Sequence, residues 1–413
     1  MSFPRMAPFR QHFAGESLED VPAAVSAELE GCGLSGRIRP GQRIAVTGGS
    51  RGIANIAAIT RTVVAAVTDA GGRPFVMPAM GSHGGATARG QKEVLAGYGL
   101  HPAAMGCPVE ATMEVAEVGR LDDGTPVLVN RLALEADGVI VINRVKPHTS
   151  FRGTHESGLA KMLAIGLGCH RGATMAHAQG AEGLARLVPA LGGALLERLN
   201  VLAGVAIVEN ARDETAMVSG LPPGDILSGE ARLLEVARSN MPRLLVRQID
   251  LLIVDEMGKN ISGTGMDTNV IGRMLLPGVA EPDEPGVARI FVRRLSEGTH
   301  GNANGVGLAD VITRQLFDAI DFQATYANAF TSTFLNRAYV PIVKRDDREA
   351  VASMLEVLRL DDGGALRAAR IRNTLEVANI QLSEALARDS GHPDLERLAD
   401  FEPMRFTDGG ALV

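Results

Sequence analysis

The chain has no tryptophan, and aromatic residues make up only 4% of its 413 positions. So few rings leave no interleaved stacking platform for single-stranded nucleic acid. A positive excess is missing as well: 41 Lys and Arg stand against 48 Asp and Glu, a net charge of −7. That balance argues against a general binder of nucleic acid or of an anionic membrane surface. The three cysteines, Cys32, Cys107 and Cys169, are scattered and form no CxxC. They argue against a disulfide framework and a cysteine zinc knot, and they fit a reducing compartment. Long apolar runs are also absent. Ile53–Val67 and Leu184–Val208 are broken by Arg or Glu well before the roughly 18 residues that a span requires. The opening MSFPRMAPFRQHFAGESLED has no apolar core of the signal-peptide kind. The expectation is a soluble cytoplasmic protein.

What is present is ordinary globular composition, 46% hydrophobic and 22% charged, with 48 glycines. Glycine suits tight turns and close backbone approach to anionic groups. Short β-branched runs alternate with alanine-rich stretches. Arg43–Thr47, Arg73–Pro78, Gly138–Val145, Ala203–Val208, Asp250–Val254 and Ala288–Val292 read as strands. Ile53–Ala70, Thr87–Gly97, Ser157–Gly166, Ala173–Leu187 and Ile226–Arg238 read as helices. Such alternation implies βαβ units: an α/β chain of two domains with mostly parallel sheets and a cleft between them. The best boundary lies near Pro242–Gln248, giving residues 1–245 and 246–413 as the two α/β domains.

The strand Arg43–Thr47 runs into Gly48-Gly49-Ser50-Arg51-Gly52-Ile53. The stretch TGGSRGIA is similar to the nucleotide-binding turn of short-chain dehydrogenases, in which glycines admit a phosphate to backbone N–H groups. Those enzymes also need a Tyr four residues before a Lys, and none of Tyr98, Tyr326 and Tyr339 has one. The turn also lacks a final glycine, having Ala54-Asn55 there. What remains is a Gly-rich turn whose Arg51 suits a phosphate or carboxylate, against the plainer reading of an ordinary βα turn.

Four of the nine histidines, His148, His155, His170 and His177, share one segment with Lys161, and His83 follows a strand in MGSHGGAT. A lone histidine is more often structural than functional, but four so close together shift that balance. No HExxH is present, which disfavours a zinc peptidase. Cys169-His170 makes a poor ligand pair because adjacent side chains on a helix point apart.

Taken in order, Arg51 in GGSRG, His83 in GSHGG, His148 in KPHTSF, Ser157-Gly158-Leu159-Ala160-Lys161 and His177 in MAHA resemble the nickel-pincer-nucleotide-dependent lactate racemase family. The interval from His148 to Lys161 is slightly longer than in that family, which places a small insertion near Arg152–His155. The resemblance implies a racemase or epimerase of a 2-hydroxy acid that moves a hydride from C2 to the cofactor and back. It implies that Lys161 holds the pyridinium dithio-mononucleotide covalently, that His177 ligates nickel, and that His83 and His148 are the paired acid/bases. By the same resemblance Arg51 contacts substrate or anionic cofactor groups; Gly48, Gly49, Ser50, Ser157 and Gly158 line the cofactor. Two imidazoles that titrate near neutrality can serve the two enantiomers from opposite sides. Read without the resemblance, Lys161 fits a solvated helix position equally well.

The second half departs from the family. Gly263–Asn269 keeps the Gly-rich turn with Asp267 and Asn269, but Gly272 and Leu275 stand where a Gln and a Lys are expected. Lys259 or Arg273 would then neutralise the substrate carboxylate, and a larger hydroxy acid or sugar acid becomes as reasonable as lactate. Two other readings stay open: a nucleotide-dependent oxidoreductase with net redox turnover, and a non-catalytic relative. Retention of both His83 and His148 favours catalysis. The expected partners are a small hydroxy acid and cofactor-maturation enzymes, with no nucleic acid and no membrane; a homo-oligomer is left open.

Overall fold

A computed structural model describes residues 2–413. They fall into two compact units. One is Gly15–Met241; the other joins the residues up to Ala14 with Pro242–Val413. The division lies close to the expected boundary, but the N-terminal strand β1 (Arg5–Gln11) goes to the C-terminal unit, pairing antiparallel with β14 (Asn379–Ser383). A pairing partner more than 360 residues away leaves no local trace in the sequence.

The sheet of the Gly15–Met241 unit comprises β2 (Arg43–Gly48), β3 (Arg73–Pro78), β6 (Gly138–Arg144), β7 (Val201–Glu209) and β8 (Thr215–Leu221) in the order β3-β2-β6-β7-β8. All neighbours are parallel except β7 and β8. Continuous apolar runs explain this: Ile44–Val46, Val139–Ile142 and Val201–Val208 are buried on both faces, as strands flanked by helices must be. The helix Ile56–Asp69 lays Ile59, Val63 and Val67 on one of those faces at helical spacing. A hairpin, β4 (Val115–Arg120) with β5 (Pro126–Asn130), stands apart from the sheet and was not legible in the sequence.

In the other unit, β12 (Ile342–Lys344), β11 (Val311–Thr313), β10 (Gly286–Leu295), β9 (Gln248–Met257) and β13 (Ala368–Ile371) are mutually parallel. β14, β1, β15 (Leu395–Arg397) and β16 (Glu402–Pro403) extend the sheet in antiparallel fashion. Alternate side chains of β9 feed two cores: Leu252 and Val254 on one face, Leu251 and Ile253 on the other. Both sheets are mixed, the first mostly parallel and the second parallel in one half and antiparallel in the other, so the α/β expectation holds. No helix among the described residues is long and apolar enough to cross a membrane.

Candidate active site

Three parallel strands end on residues singled out in the sequence. β2 runs out at Gly48 into Gly49-Ser50-Arg51, β3 at Pro78 into Ala79–His83, and β6 at Arg144 into Val145–His148. Loops beyond the carboxyl ends of parallel strands are where such sheets hold ligands. Glu209, the last residue of β7, braces two of them: it ion-pairs with Arg144 and accepts the Ala54 N–H at 2.7 Å. The sequence reading of the Gly-rich turn needs correcting here. Its helix opens at Ile56 rather than Ile53, behind Asn55 at φ 60°, and the Ala54 N–H already serves Glu209. Without a helix N-terminus directly behind it, the turn is not a dinucleotide cradle.

The Lys161 segment comes up against this turn. A Cβ on Gly49 would lie 3.2 Å from Met162 Cε and 3.5 Å from Asn143 Oδ1, and Asn143 Nδ2 donates to Gly158 O at 2.9 Å. Ser157 pairs backbone to backbone with Lys146. Leu159–Lys161 forms one α-helical turn that passes directly into the π-helix Met162–Gly166, a distortion that collects at functional sites. Helix Cys169–His177 follows. The single helix expected over Ala173–Leu187 is instead two, broken at Gly180, where φ is +68°.

Burial, then the charge of Arg51, brings the Lys161 ammonium down to about 7, with Glu156 acting in the opposite sense. Near neutral pH a large share of Lys161 is therefore free, nucleophilic amine. Burial and the charge of Lys161 hold His177 at about 4, so its imidazole is neutral and can ligate a metal. His148 lies well below its ordinary value because of burial first, then Lys161, His177, Arg152 and Lys146. These mutual influences put His148, Lys161 and His177 in one cluster, with Arg51 bordering Lys161. Arg51 itself is exposed to solvent yet closely surrounded, as in an open concavity; lost hydration, with Arg144 nearby, keeps it below the usual arginine value against the pull of Tyr98.

The two proposed acid/bases carry their protons on different nitrogens. Ser150 N–H donates to His148 Nδ1 at 3.0 Å, so the neutral ring has its hydrogen on Nε2. His83 Nδ1 lies 2.7 Å from Met80 O, which can only accept, so His83 has its hydrogen on Nδ1 and a lone pair on Nε2. His83 is exposed, and its loop reaches the π-helix through Gly81 N–H to Gly166 O at 3.2 Å.

The residues that hold this arrangement were missed in the sequence, and most lie on the helix Ile226–Asn240. Glu230 is fully buried; its Oε2 accepts the Ala160 N–H at 2.7 Å, and its carboxylate also takes the Leu159 N–H. Burial pushes this carboxyl up to about 7, against the pull of those two bonds. Arg238 donates to Glu156 at 2.7 Å, and buried Glu156 accepts the N–H groups of His148 at 2.6 Å and Gly153 at 3.2 Å. His155 is tied to Leu227 O at 2.9 Å. Cys169 is buried beside Asn130, with its thiol pushed up by burial, while His170 is exposed, so the two do not form a ligand pair.

In the C-terminal unit, buried Asp267 accepts from Asn269 N–H at 3.0 Å and Asn269 Nδ2 at 2.8 Å. Lys259 Nζ donates to Gly263 O and, at 2.7 Å, to Asn328 Oδ1. Arg273 is engaged within the unit. Its guanidinium pairs with Asp310 at 2.7 Å and donates to Leu308 O and Ala288 O, which ties the loop before β11 to β10 and leaves it committed to the frame.

The Gly15–Met241 unit is thus an α/β unit that brings Arg51, His148, Lys161 and His177 together beyond the ends of its parallel strands. Residues 19–183 match the model of the lactate racemase N-terminal domain, a stretch that includes Arg51, His83, His148, Lys161 and His177. This stretch is thus similar to the first domain of lactate racemases. Among solved structures it resembles the lactate racemase apoprotein from Thermoanaerobacterium thermosaccharolyticum, with a TM-score of 0.53 and 13% identity over 87% of this chain and 95% of that one. At that identity the likeness is one of fold. No curated protein matches the sequence.

Proposed function

We propose that the protein is a cytoplasmic racemase or epimerase of a 2-hydroxy acid, working with a nickel-pincer nucleotide attached at Lys161 and ligated by His177. The observation that carries this reading is the cluster itself: an amine at about 7 beside two imidazoles held neutral. The donor set suits that cofactor. Lys161 supplies a nucleophilic amine, His177 a neutral nitrogen, and Gly49 leaves the space that a Cβ would fill next to Met162. No group of three or more His, Cys, Asp or Glu among the described residues could hold a metal ion. This reading asks one imidazole of the chain, that of His177. When bound, this group supplies the acceptor and donor of hydride at C2.

The chain's own residues do the rest. His83 Nε2 can take the substrate hydroxyl proton and give it back, while His148 Nε2–H hydrogen-bonds the oxygen that loses it; proton exchange of the two rings with water would exchange these roles for the other enantiomer. Arg51 attracts the anionic substrate and keeps Lys161 in its amine form. Met162, Leu163 and Leu167 are buried along the turn and keep water from its inner side. Cofactor-maturation enzymes are the partners this reading requires, and the departures at Gly272 and Leu275 favour a hydroxy acid other than lactate.

Two measurements test it. Protein co-expressed with the maturation enzymes is expected to contain nickel and a mass adduct on Lys161, lost in Lys161→Ala; an adduct on another lysine overturns the assignment. A substrate deuterated at C2 is expected to keep its label through inversion. Washout into water indicates proton abstraction at C2, and stoichiometric NADH indicates a dehydrogenase.

A further inference from the structure

The C-terminal unit holds a cation that the Lys161 cluster does not use. Arg337 lies in the single 3₁₀ turn Leu335–Ala338 with 1% of its surface exposed. None of its Nε, Nη1 and Nη2 atoms has a hydrogen-bond partner among the described residues. Burial lowers it only to about 10, with Glu281 holding it up, so it stays charged at physiological pH. A buried, unpaired guanidinium is among the costlier things a fold can carry, and proteins pair such groups with anions. Glu281, the carboxylate whose charge Arg337 feels, already accepts the N–H groups of Met274 and Leu275.

The surroundings add a complementary demand. Gly305 N–H donates to Arg337 O at 2.8 Å, which fixes the turn against the Asn304–Gly305 loop. Beside it, Asn304 is buried and its Oδ1 also has no partner. A Cβ on Gly305 would stand 1.7 Å from Thr264 O, so the same loop backs onto the Gly263–Asn269 turn. Asn336 Nδ2 donates to Leu275 O, which brings Arg337's neighbour to the position where the family pattern expects a lysine. Two touching loops thus carry unsatisfied N–H donors on a cation and an unsatisfied amide oxygen. A ligand with a carboxylate and a neighbouring hydroxyl meets both needs: the carboxylate accepts from the guanidinium fork and the hydroxyl donates to the amide.

We infer that Arg337 and Asn304 form a binding site for a small hydroxy carboxylate, with Arg337 supplying the cation that Leu275 does not. The inference rests on the reading of the protein as a hydroxy-acid enzyme. Lys259 and Arg273 cannot fill the role as simply, because Gly263 O and Asn328 hold the first and Asp310 the second.

The test uses full-length protein and glycolate, with phosphate and chloride as matched inorganic anions. Glycolate is expected to raise the unfolding temperature saturably and to bind calorimetrically. Arg337→Met should weaken that binding on the order of 10–100-fold, the worth of a charge-assisted hydrogen bond. Arg337→Lys should fall between, keeping charge without the fork, and Lys161→Ala should leave it unchanged. If Arg337→Met does not fold, the Nε–H resonance of Arg337 in the wild type is expected to shift on glycolate addition. An equal glycolate response in Arg337→Met, or an unmoved Nε–H, overturns the inference. An Arg337-dependent response to phosphate or chloride alone overturns the carboxylate assignment. Glycolate binding through Arg337 in a loaded protein that inverts no hydroxy acid sinks the proposed function and leaves this site standing. Unimpaired turnover in Arg337→Met does the reverse.

Discussion

Glu230 Oε2 accepts the backbone N–H of Ala160 at 2.7 Å from a helix outside the family-matched segment, and Ala160 is the residue before Lys161. A carboxyl side chain thus sets the start of the turn that presents the amine. Glu230→Ala removes the acceptor for two N–H groups, Leu159 and Ala160, and should destabilise the unit by about 2–6 kcal/mol, since each orphaned buried donor costs about 1–3 kcal/mol. Glu230→Gln keeps an acceptor and should restore most of that loss. The folded-state value is raised to about 7 from an ordinary 4.5, so the native protein holds a proton that the unfolded chain releases. Stability from this group therefore declines as pH rises from about 4.5 to about 7. Denaturant titrations across that range should show a flatter profile in Glu230→Gln than in the wild type; parallel profiles would contradict it.

Lys161 gives a second prediction, in solution chemistry. ¹³C-methylation of the cofactor-free protein should show one lysine titrating at about 7, far below the ordinary value of about 10.4. Arg51→Gln removes a neighbouring positive charge and should move that titration upward. Glu156→Gln removes the opposing negative charge and should move it downward, provided the loop keeps its fold. A Lys161 resonance that titrates with the surface lysines would remove the basis for its nucleophilic role.

Much of the site was legible before the structure because buried parallel strands advertise themselves. Runs such as GVIVINR have no polar face, and the loops at their carboxyl ends are where ligands bind. The supports were harder to read, because Glu230 and Arg238 reach Ala160 and Glu156 from 70 and 82 positions away. A signal was nevertheless present. Ile226, Gly229, Glu230, Leu233, Leu234 and Ala237 form the buried stripe of their helix, so Glu230 stands at a position where helical spacing calls for an apolar residue. A carboxylate in an apolar stripe implies a buried partner. Arg337 offered no such signal, because its turn has no periodicity to violate. The pairing of Arg273 was equally hidden, because its partner Asp310 lies 37 residues on.

Gly158 is required by space rather than by backbone conformation. Its φ of 177° suits any residue, but a Cβ there would lie 2.4 Å from both Cδ and Oε1 of Glu230. The Ala160 N–H holds Oε2, which limits how far the carboxyl can turn away. Gly158→Ala should cost about 1–3 kcal/mol, as overpacking of a tight interior does, and should slow adduct formation at Lys161. The double variant Gly158→Ala with Glu230→Ala should lose less than the sum of the two, because the clash needs both groups. Strict additivity in thermal melts would show that the two residues do not meet.

The last prediction concerns where His83 and His148 hold their protons. Met80 O fixes the hydrogen of His83 on Nδ1, and the Ser150 N–H fixes that of His148 on Nε2. At neutral pH ¹⁵N spectra should therefore show two tautomers, one of each kind, with His148 staying neutral well below pH 6.5 because burial and nearby cations disfavour its charge. This difference gives the pair a direction: His83 offers a lone pair to a hydroxyl proton while His148 offers an N–H hydrogen bond to an oxyanion. His83→Ala and His148→Ala should each slow turnover on the order of 10²–10⁴-fold. Because both rings act on the same substrate oxygen, each loss should slow both directions equally. Loss in one direction only is thermodynamically barred for a single reversible step, so an apparent asymmetry would have to arise from product release. If both rings carry the same tautomer, the division of roles between them fails, and the cluster around Lys161 would need a different base.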